Sequence, residues 1–285
     1  TTLAGQPRRD LGRVNADGSI DATFTNAPNN AVDAIAVQED GKILVVGSFT
    51  SLAGQPRNYL GRMHADGTID ATFTNGANSR VNAVAVQADG KILVGGTFTS
   101  LAGEPRNYLG RLNADGTLDT TFTNGPDNMA VYSLATQADG KILVGGTFTS
   151  LAGEPRNYLA RLNADGTLDT TFTNGPNSQV TSLAVQAGDR ILVGGAFTNL
   201  AGQARNNLGR LNADGSLDTT FTNGTSGTVT CLAVQPDGMI LVGGTFTNLA
   251  GQTRRYLGRL HADGSLDNTF TNAANSPVFC LGVQT

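Results

Sequence analysis

The chain has 285 residues, a net charge of −4 and an isoelectric point near 5.1, with 39% hydrophobic and only 15% charged residues. This charge balance argues against a general nucleic-acid or anionic-membrane surface. No apolar run approaches the roughly 18 residues of a membrane span, and no long stretch has the 3.6-residue apolar period of a helix. These totals predict an all-β protein without a membrane span.

A valine that opens an apolar segment recurs every 49 or 50 residues. The text from Val131 to Gln179 reads VYSLATQADGKILVGGTFTSLAGEPRNYLARLNADGTLDTTFTNGPNSQ, and Val180 begins it again. A repeat of this length made of short strands is typical of a propeller or a solenoid. The opening valines are Val32, Val81, Val131, Val180, Val229 and Val278.

Two strands are predicted in the first half of each repeat. The first, Val131–Gln137, alternates small and larger residues with a period of two. An Ala-Asp-Gly turn follows, since Asp-Gly tolerates positive φ. The second strand, Lys141–Thr149, is a continuous apolar run, as in strands buried on both faces. Its glycines, Gly145 and Gly146, predict a β-bulge or the close approach of another backbone.

The second half of the repeat adds two more predicted strands. A longer loop, Ser150–Asn157, leads to a third strand from Tyr158 to about Asn163. Another Ala-Asp-Gly turn leads to a fourth strand from about Leu168 to Thr173. Short turns make neighbouring strands antiparallel, so each repeat is predicted to be a four-stranded meander.

One meander cannot bury both of its faces, whereas copies stacked around an axis bury them all. We therefore expect an all-β, six-bladed β-propeller of four-stranded antiparallel blades, with residues 1–285 forming a single domain. A linear solenoid of the same meanders is the alternative.

The text Q-x-D-G-K-I-L-V-G-G-x-F, followed by R-L-N-A-D-G-x-L-D-x-x-F, resembles the delta-60 repeat, a bacterial propeller-type repeat related in shape to WD-repeat blades. The resemblance covers nearly the whole chain and departs from the pattern at isolated points, such as Gly188-Asp189-Arg190. It implies a bacterial, often large and surface-associated parent protein with no established enzyme activity. On that basis we expect an extracellular or cell-surface location.

The predicted strands are not equally numerous. The first, third and fourth strands occur six times, but the second occurs only five times. We expect Val278–Gln284 to share a closing blade with residues 9–25, a blade that lacks its second strand. Either that strand is trimmed or unrepresented, or it comes from extra residues or another subunit, which would give a homo-oligomer. Because Thr1 falls inside a repeat, we expect a processed, excised or incompletely represented N-terminus.

Six third-strand arginines match six fourth-strand aspartates, which predicts a repeated structural ion pair, since a planar guanidinium suits bidentate carboxylate contact. The text around Asn163, Asp165 and Asp169 also resembles a calcium loop, but it lacks the third early carboxylate and the bidentate glutamate. An Asp-Gly hairpin whose second aspartate bonds backbone or arginine is the favoured interpretation, so no metal or other cofactor is predicted. The paired residues are Arg13, Arg62, Arg111, Arg161, Arg210 and Arg259, with Asp21, Asp70, Asp119, Asp169, Asp218 and Asp267.

Residues suited to catalysis are few. His64 and His261 occupy a turn position that is Asn in the other repeats. No Ser-His-Asp, Cys-His or zinc set can be assembled, and the paired glycines are not placed as a phosphate loop. Cys231 and Cys280 share one phase, and we expect both to be buried free thiols. We predict that the protein is not an enzyme; a glycan-active hydrolase, which needs paired carboxylates, is an alternative.

Alternating strand direction should bring two sets of loops to the same side of each blade. One set carries Arg8, Arg57, Arg106, Arg156, Arg205 and Arg254, and the other begins at Asn26, Asn75, Asn124, Asn174, Asn223 and Asn272. The repeats differ mainly on this side, which is consistent with a tuned binding surface, although relaxed constraint on exposed loops gives the same pattern. The candidate ligand-binding residues are Asp33, Arg80, Asn82, Tyr132, Gln179, Thr181, Thr230, Phe279, Arg57, Arg106 and Arg156.

We accordingly predict a non-enzymatic binding module of a larger bacterial surface or secreted protein. A protein or glycan would dock on the loop side near the channel mouth, with no nucleic-acid partner. The first alternative is structural, a self-assembling propeller joined by strand exchange at the incomplete blade.

Overall fold

The computed structural model describes residues 2–3, 6–7, 10–271 and 274–283. It contains two compact units, Thr1–Pro126 and Asp127–Thr285. The expectation of a single domain stays a prediction. Arg8 and Asn272, which were predicted to lie on the loop side, fall outside the described residues.

The described chain is built from five three-stranded antiparallel sheets, one in each repeat that opens at Val32, Val81, Val131, Val180 or Val229. We number these repeats 1 to 5. In each sheet the second strand, b, lies between the first strand, a, and the third strand, c. The a-strands are Val32–Val37, Val81–Val86, Val131–Thr136, Val180–Val185 and Val229–Val234. The b-strands are Ile43–Gly47, Ile92–Gly96, Ile142–Gly146, Ile191–Gly195 and Ile240–Gly244. The c-strands are Leu60–Met63, Leu109–Leu112, Leu159–Leu162, Leu208–Leu211 and Leu257–Leu260.

The b-strands are buried on both faces, as their apolar sequences predict; every residue of Ile142–Gly146 is buried. The glycine prediction is also confirmed. The pairing of the a- and b-strands shifts register between Val131 and Ser133, which is a β-bulge. A Cβ atom at Gly146 would lie only 2.1 Å from the carbonyl oxygen of Ala130. The bulge therefore brings two backbones so close that only glycine fits.

The predicted fourth strand is only partly formed. It is reduced to a single antiparallel bridge, such as that between Leu162 and Leu168. Asp169 then turns the chain, because its Oδ1 accepts hydrogen bonds from the backbone NH of Thr171 (3.0 Å) and from its hydroxyl (2.6 Å). Such side-chain capture of backbone groups competes with a strand ladder.

The predicted long loop between the b- and c-strands contains a small hairpin that the sequence analysis did not foresee. Ser150–Leu151 pairs with Glu154–Pro155 around Ala152 and Gly153, whose φ values are 54° and 78°. Two consecutive positive φ values are the signature of a type I′ turn. The other hairpins pair Thr2–Leu3 with Gln6–Pro7, Ser51–Leu52 with Gln55–Pro56, Ser100–Leu101 with Glu104–Pro105, Asn199–Leu200 with Gln203–Ala204, and Asn248–Leu249 with Gln252–Thr253. Among the described residues, helical structure is confined to the 3₁₀ turn Ala187–Asp189.

The hydrophobic core lies between successive sheets. In Thr1–Pro126, side chains of repeat 1 such as Leu44 and Phe73 pack with Val81 and Phe98 of repeat 2. In Asp127–Thr285, one cluster joins repeats 3 and 4, and another joins repeats 4 and 5. Within each unit, neighbouring sheets therefore bury apolar side chains against each other, which is the stacking expected for copies that cannot bury themselves.

The predicted ion pairs between c-strand arginines and fourth-segment aspartates are present in six copies. In repeat 1, Arg62 Nε donates to Asp70 Oδ2 (2.8 Å), and its guanidinium lies 4.6 Å from the centre of the Phe73 ring. The contact is not the bidentate one expected, because Asp70 Oδ1 is taken by Thr72. Arg62 Nη1 instead donates to the carbonyl oxygen of Ala114 in repeat 2 (2.6 Å). The same contact joins Arg161 to Ala213 and Arg210 to Ala262, so within each unit these arginines link a sheet to the turn of the following repeat.

The sixth copy of the a-strand differs from the other five. Residues 278–283, the described part of the predicted strand Val278–Gln284, form no strand. Cys280 in this segment is exposed, whereas Cys231 at the same phase of repeat 5 is buried. The expectation of two buried thiols is therefore wrong for Cys280, because no b-strand covers it within the described chain.

Candidate loop-side binding site

The two loop sets predicted to share one side do meet within each unit. In four of the five repeats, the loop before the a-strand bridges to the hairpin that follows the b-strand of the same repeat, as Ala77 does to Leu101 and Thr225 to Leu249. The end of the preceding hairpin joins them, because Asn58 O accepts a hydrogen bond from Ala77 N (3.2 Å). The segments thus converge from two neighbouring repeats.

A polar groove lies where these segments meet in Thr1–Pro126. Its volume is about 490 Å³, in the size range of small-molecule pockets. Asn58, Thr74 and Asn78 are exposed along it, so amide and hydroxyl groups dominate its rim. The lining comprises Pro56, Asn58, Thr74, Asn75, Gly76, Ala77, Asn78, Ser100, Ala102 and Gly103.

The same groove recurs in Asp127–Thr285 between repeats 4 and 5, with a volume of about 390 Å³. Its lining matches the first groove position by position, with Asn206 in place of Asn58 and Thr222 in place of Thr74. It adds Arg205, whose Nε donates to the carbonyl oxygen of Phe221 (2.9 Å). The site is therefore a property of the repeat. The second groove is lined by Ala204, Arg205, Asn206, Thr222, Asn223, Gly224, Thr225, Ser226, Asn248, Ala250 and Gly251.

Many groove residues also hold the loops in place. Asn78 Oδ1 accepts hydrogen bonds from the backbone NH groups of Thr99 (2.9 Å) and Ser100 (3.0 Å). Asn75 Nδ2 donates to the carbonyl oxygen of Gly116 in the next repeat (2.9 Å). These bonds fix the groove wall before any ligand arrives, so binding costs less ordering of the loops.

Two predicted site residues, Asp33 and Arg80, bind each other. Arg80 Nε lies 2.7 Å from Asp33 Oδ2, and Nη2 lies 2.5 Å from Asp33 Oδ1. This bidentate contact joins the a-strand of repeat 1 to the residue just before the a-strand of repeat 2, and half of the arginine side chain remains exposed (52%). A ligand approaching here would meet a paired charge whose arginine is still accessible.

Other predicted residues occupy the second position of the a-strands. Thr181 Oγ1 donates to the carbonyl oxygen of Val229 (2.5 Å), and Thr230 Oγ1 donates to that of Val278. Tyr132 and Phe279 present exposed rings, with 36% and 72% of their surface accessible. Thr181 therefore links two neighbouring a-strands, and Thr230 links an a-strand to the segment that begins at Val278, while the two aromatic residues face solvent.

Asn82 and Gln179 are half-buried residues at this end of the a-strands. The backbone carbonyl of Gln179 accepts a hydrogen bond from Ala196 N (3.1 Å). Both side chains are partly exposed, so both stay candidate ligand-binding residues.

The predicted arginines of the loops turn back onto their own backbone. Arg57 is buried, with Nη1 donating to Pro56 O (2.7 Å) and Nη2 to Asp70 O (3.2 Å). Arg106 and Arg156 are half-buried and bond the carbonyl oxygen of the preceding proline, each at 2.7 Å. Their Nε atoms, with that of Arg57, are buried without a hydrogen-bond partner among the described residues. The hydrogen bonds of these side chains stabilise the end of the hairpin.

The carboxyl group beside the second groove has a lowered pKa. Asp263 lines a cavity of about 290 Å³ with Thr222 and Asn223. Hydrogen bonds from the Ser265 backbone and hydroxyl lower the pKa of its carboxyl group. Among the described residues, no group of three His, Cys, Asp or Glu side chains is arranged to hold a metal ion.

Hairpin residues that close each groove, such as Ser100, Asn248 and Gly251, were not predicted from the sequence. Each repeat carries Leu-Ala-Gly at this point. The Ala-Gly pair, followed by a polar residue, was the available signal for a two-residue turn with positive φ. Ala, unlike Asn or Asp, rarely occupies the first central position of a type I′ turn, so the Ala-Gly pair alone does not predict the hairpin.

The fold and the repeated loop side define a β-propeller repeat protein. Six segments of the chain match a family model described as a domain of unknown function (DUF5122), beta-propeller: residues 1–24, 38–73, 87–122, 137–172, 186–221 and 235–270. The chain therefore belongs to this beta-propeller family, which confirms the predicted all-β propeller class of six repeats. The narrower resemblance to the delta-60 repeat stays a prediction.

One solved structure supports the propeller fold, and a second is reported beside it. The WD40 beta propeller domain of Doa1 is 14% identical, with a TM-score of 0.51 over 90% of this chain and 88% of that chain. The RRP9 WD40 repeats are 14% identical, with a TM-score of 0.49 over 75% of this chain and 57% of that chain. A sequence comparison with curated proteins finds no significant match. Within the described part of the chain, no helix is long and apolar enough to cross a membrane.

Proposed function

We propose that this propeller is a non-enzymatic binding module that takes a hydroxyl-rich glycan in its loop-side grooves. The observation that carries the proposal is the same polar groove in repeats 1–2 and in repeats 4–5. Amides and hydroxyls on a fixed backbone suit sugar hydroxyl groups, which both donate and accept hydrogen bonds. A site repeated along one chain suits a ligand that itself repeats, since linked sites gain affinity through effective concentration.

The electrostatics of the carboxylates support binding over hydrolysis. A glycosidase needs one carboxylic acid with a raised pKa to protonate the leaving group. Hydrogen bonds from the Ser265 and Ser216 backbone and side chains instead lower the pKa of Asp263 and Asp214. Carboxylates held in this way accept hydrogen bonds at neutral pH and do not donate protons.

The proposed cellular setting is the surface of a bacterium. The delta-60 resemblance supports it. Labelling of intact cells with an antibody to the chain tests this placement, and signal only after cell lysis would contradict it.

A glycan array probed with the purified chain tests the function. The variant with Asn58→Ala, Thr74→Ala, Asn206→Ala and Thr222→Ala strips exposed polar groups from both grooves and is expected to lose binding at least tenfold. Either pair alone should lose avidity while keeping the same glycan preference. Glu39→Ala, an exposed change on a turn between a- and b-strands, is the matched control. If the quadruple variant still bound glycans, the proposal would be wrong. If the chain bound proteins and no glycan, its ligand would be a polar protein surface.

A further inference from the structure

The two loop-side grooves have the same plan but differ in charge. The groove between repeats 4 and 5, called the 4–5 groove, is lined by Arg205, which is half-buried. The groove between repeats 1 and 2, called the 1–2 groove, has no charged residue in its described lining. The arginine at the equivalent position of repeat 1, Arg57, is buried and does not line that groove.

The hydrogen bonds of these two arginines distinguish them. Arg57 donates from Nη1 to the carbonyl oxygen of the preceding residue and from Nη2 to that of Asp70 (3.2 Å), so both of its terminal nitrogens are engaged. Arg205 donates from Nη1 to Ala204 O (2.8 Å) and from Nε to Phe221 O (2.9 Å). Its Nη2 makes no hydrogen bond among the described residues and remains accessible.

The positive charge of Arg205 is not neutralised within its unit. The six c-strand arginines each form an ion pair with an aspartate. Arg205 forms none among the described residues. A guanidinium with a free terminal nitrogen donates readily to a carboxylate, and such charge-assisted hydrogen bonds are stronger than neutral ones. The 4–5 groove therefore offers an anion a contact that the 1–2 groove does not.

A second cavity adjoins the 4–5 groove and has the opposite charge. It has a volume of about 290 Å³, shares Thr222 and Asn223 with the groove, and is also lined by Asp263. Asp263 Oδ1 accepts hydrogen bonds from the backbone NH (2.8 Å) and the hydroxyl (2.7 Å) of Ser265, whereas Oδ2 makes none among the described residues. This oxygen can accept a hydrogen bond from a ligand hydroxyl group and would repel an anion.

We propose that the 4–5 groove selects an acidic oligosaccharide. The carboxylate of a uronic acid lies against Arg205, and the hydroxyl groups of the neighbouring sugar lie toward Asp263. The 1–2 groove, which has amide and hydroxyl groups but no charge, takes neutral sugars. This inference rests on the proposed glycan binding and adds to it a preference for charge in one of the two grooves.

Matched pairs of glycans test the preference. Fragments of alginate, polygalacturonate and hyaluronan are each compared with their carboxyl-reduced forms, in which the uronic acid has become a neutral sugar. The variant with Asn58→Ala and Thr74→Ala keeps only the 4–5 groove intact and should bind an acidic fragment roughly tenfold more tightly than its reduced form. The variant with Asn206→Ala and Thr222→Ala keeps only the 1–2 groove intact and should show no such preference.

A substitution of the arginine identifies the residue responsible. Added to the variant that keeps only the 4–5 groove, Arg205→Gln should remove the preference and leave binding of the reduced fragments unchanged. Arg254→Gln is the matched control, because it removes the equivalent hydrogen bond, from Nη1 to Thr253 O (2.9 Å), in repeat 5 and lines neither groove. It should leave the preference intact. Circular dichroism of both variants checks that they are folded.

Three outcomes would overturn this inference while leaving glycan binding in place: equal binding of acidic and reduced fragments by the 4–5 groove, the same acidic preference in both grooves, or a preference that Arg205→Gln does not change. If neither form of any fragment bound to either groove, the proposed function would fall as well. If Arg205→Gln did not fold, the comparison of the two grooves, which retains Arg205, would still decide the question.

Discussion

The arginine clusters of repeats 4 and 5 contain the same residue types but are not equally complete. Arg210 in repeat 4 has a side chain only 2% exposed, and it bonds Asp218, Gln186 and the carbonyl oxygen of Ala262 in repeat 5. Arg259 in repeat 5 is 25% exposed and keeps its bond to Asp267. Gln235 Oε1, the counterpart of the Gln186 acceptor, is buried without a partner among the described residues.

A single repeat therefore does not complete its own polar network. The backbone carbonyl that orients Arg210 belongs to the following turn, and the arginine held there can reach Gln186 as well. Stability in such a chain is a sum of units and of the interfaces between them. Substitutions at equivalent positions should therefore have unequal effects.

The largest expected effect comes from Arg210→Ala. Removing one partner of a buried ion pair leaves the other charge unpaired and costs about 3–5 kcal/mol. Arg259→Ala removes a partly exposed arginine and should lower the free energy of unfolding by only about 1–2 kcal/mol, closer to the range of surface pairs. Urea unfolding of both variants, followed by circular dichroism, measures the difference.

Arg210→Lys is the control for this prediction. It keeps the positive charge but loses the planar fork that reaches three acceptors, so its loss should fall between the two alanine variants. Equal losses for Arg210→Ala and Arg259→Ala would mean that the neighbouring turn contributes nothing.

The second prediction compares a crowded glycine in the b-strand of repeat 4 with an open glycine in the segment 278–283. Gly195→Ala places a Cβ atom 2.1 Å from Gln179 O. Because the obstructing atom is backbone, we expect a cost of about 3 kcal/mol, at the upper end for overpacking. Gly282→Ala meets nothing within 4 Å and should leave stability unchanged or raise it slightly. Thermal unfolding of the two alanine variants checks the contrast, and a similar melting temperature for both would contradict it.

Much of this comparison could be read from the sequence. The repeat, the three main strands, the ion pairs and the crowded glycines follow from periodicity and phase. The shortening of the fourth strand was not predicted, because it depends on the hydrogen bonds from the Thr171 backbone NH and hydroxyl to Asp169 Oδ1, which favour a turn over a strand ladder. The grooves were also missed, since they are assembled by residues such as Asn58 and Ser100 from two repeats. Phase assigns a residue to its blade but does not show which neighbour completes its contacts.

The third prediction concerns acid, and it extends the comparison to repeats 1 and 2. Burial alone would raise the pKa of Asp70 and Asp119, but hydrogen bonds from Thr72 and Arg62, and from Thr121 and Arg111, lower each pKa to about 2. A folded-state pKa below the unfolded value of about 3.9 gives stability that is present above pH 4 and lost as the pH falls toward 2.

We expect each of these two pairs to contribute about 2 kcal/mol at neutral pH, from the relation between pKa and free energy. The free energy of unfolding should be level from pH 8 to 5 and fall steeply between pH 4 and 2. Asp70→Asn has no carboxylate to protonate there, so its loss across the same window should be smaller. A titration in which Asp70→Asn and the unaltered chain lose equal stability would rule out this origin of the acid sensitivity.

The smallest change in stability is expected at Gln186 and Gln235, and it tests the role of the unpartnered Gln235 Oε1 atom directly. Gln186→Met removes an acceptor that Arg210 uses and should cost about 1 kcal/mol, the usual net value of a hydrogen bond. Gln235→Met removes an oxygen that is buried without a partner among the described residues. Burial of such an atom costs its hydration and gains no hydrogen bond in exchange. The change should therefore leave stability unaltered or raise it. The two urea midpoints should therefore move in different directions. If Gln235→Met cost as much as Gln186→Met, the fifth repeat would hold its arginine as firmly as the fourth, and the inequality between the two clusters would not be a property of the folded chain.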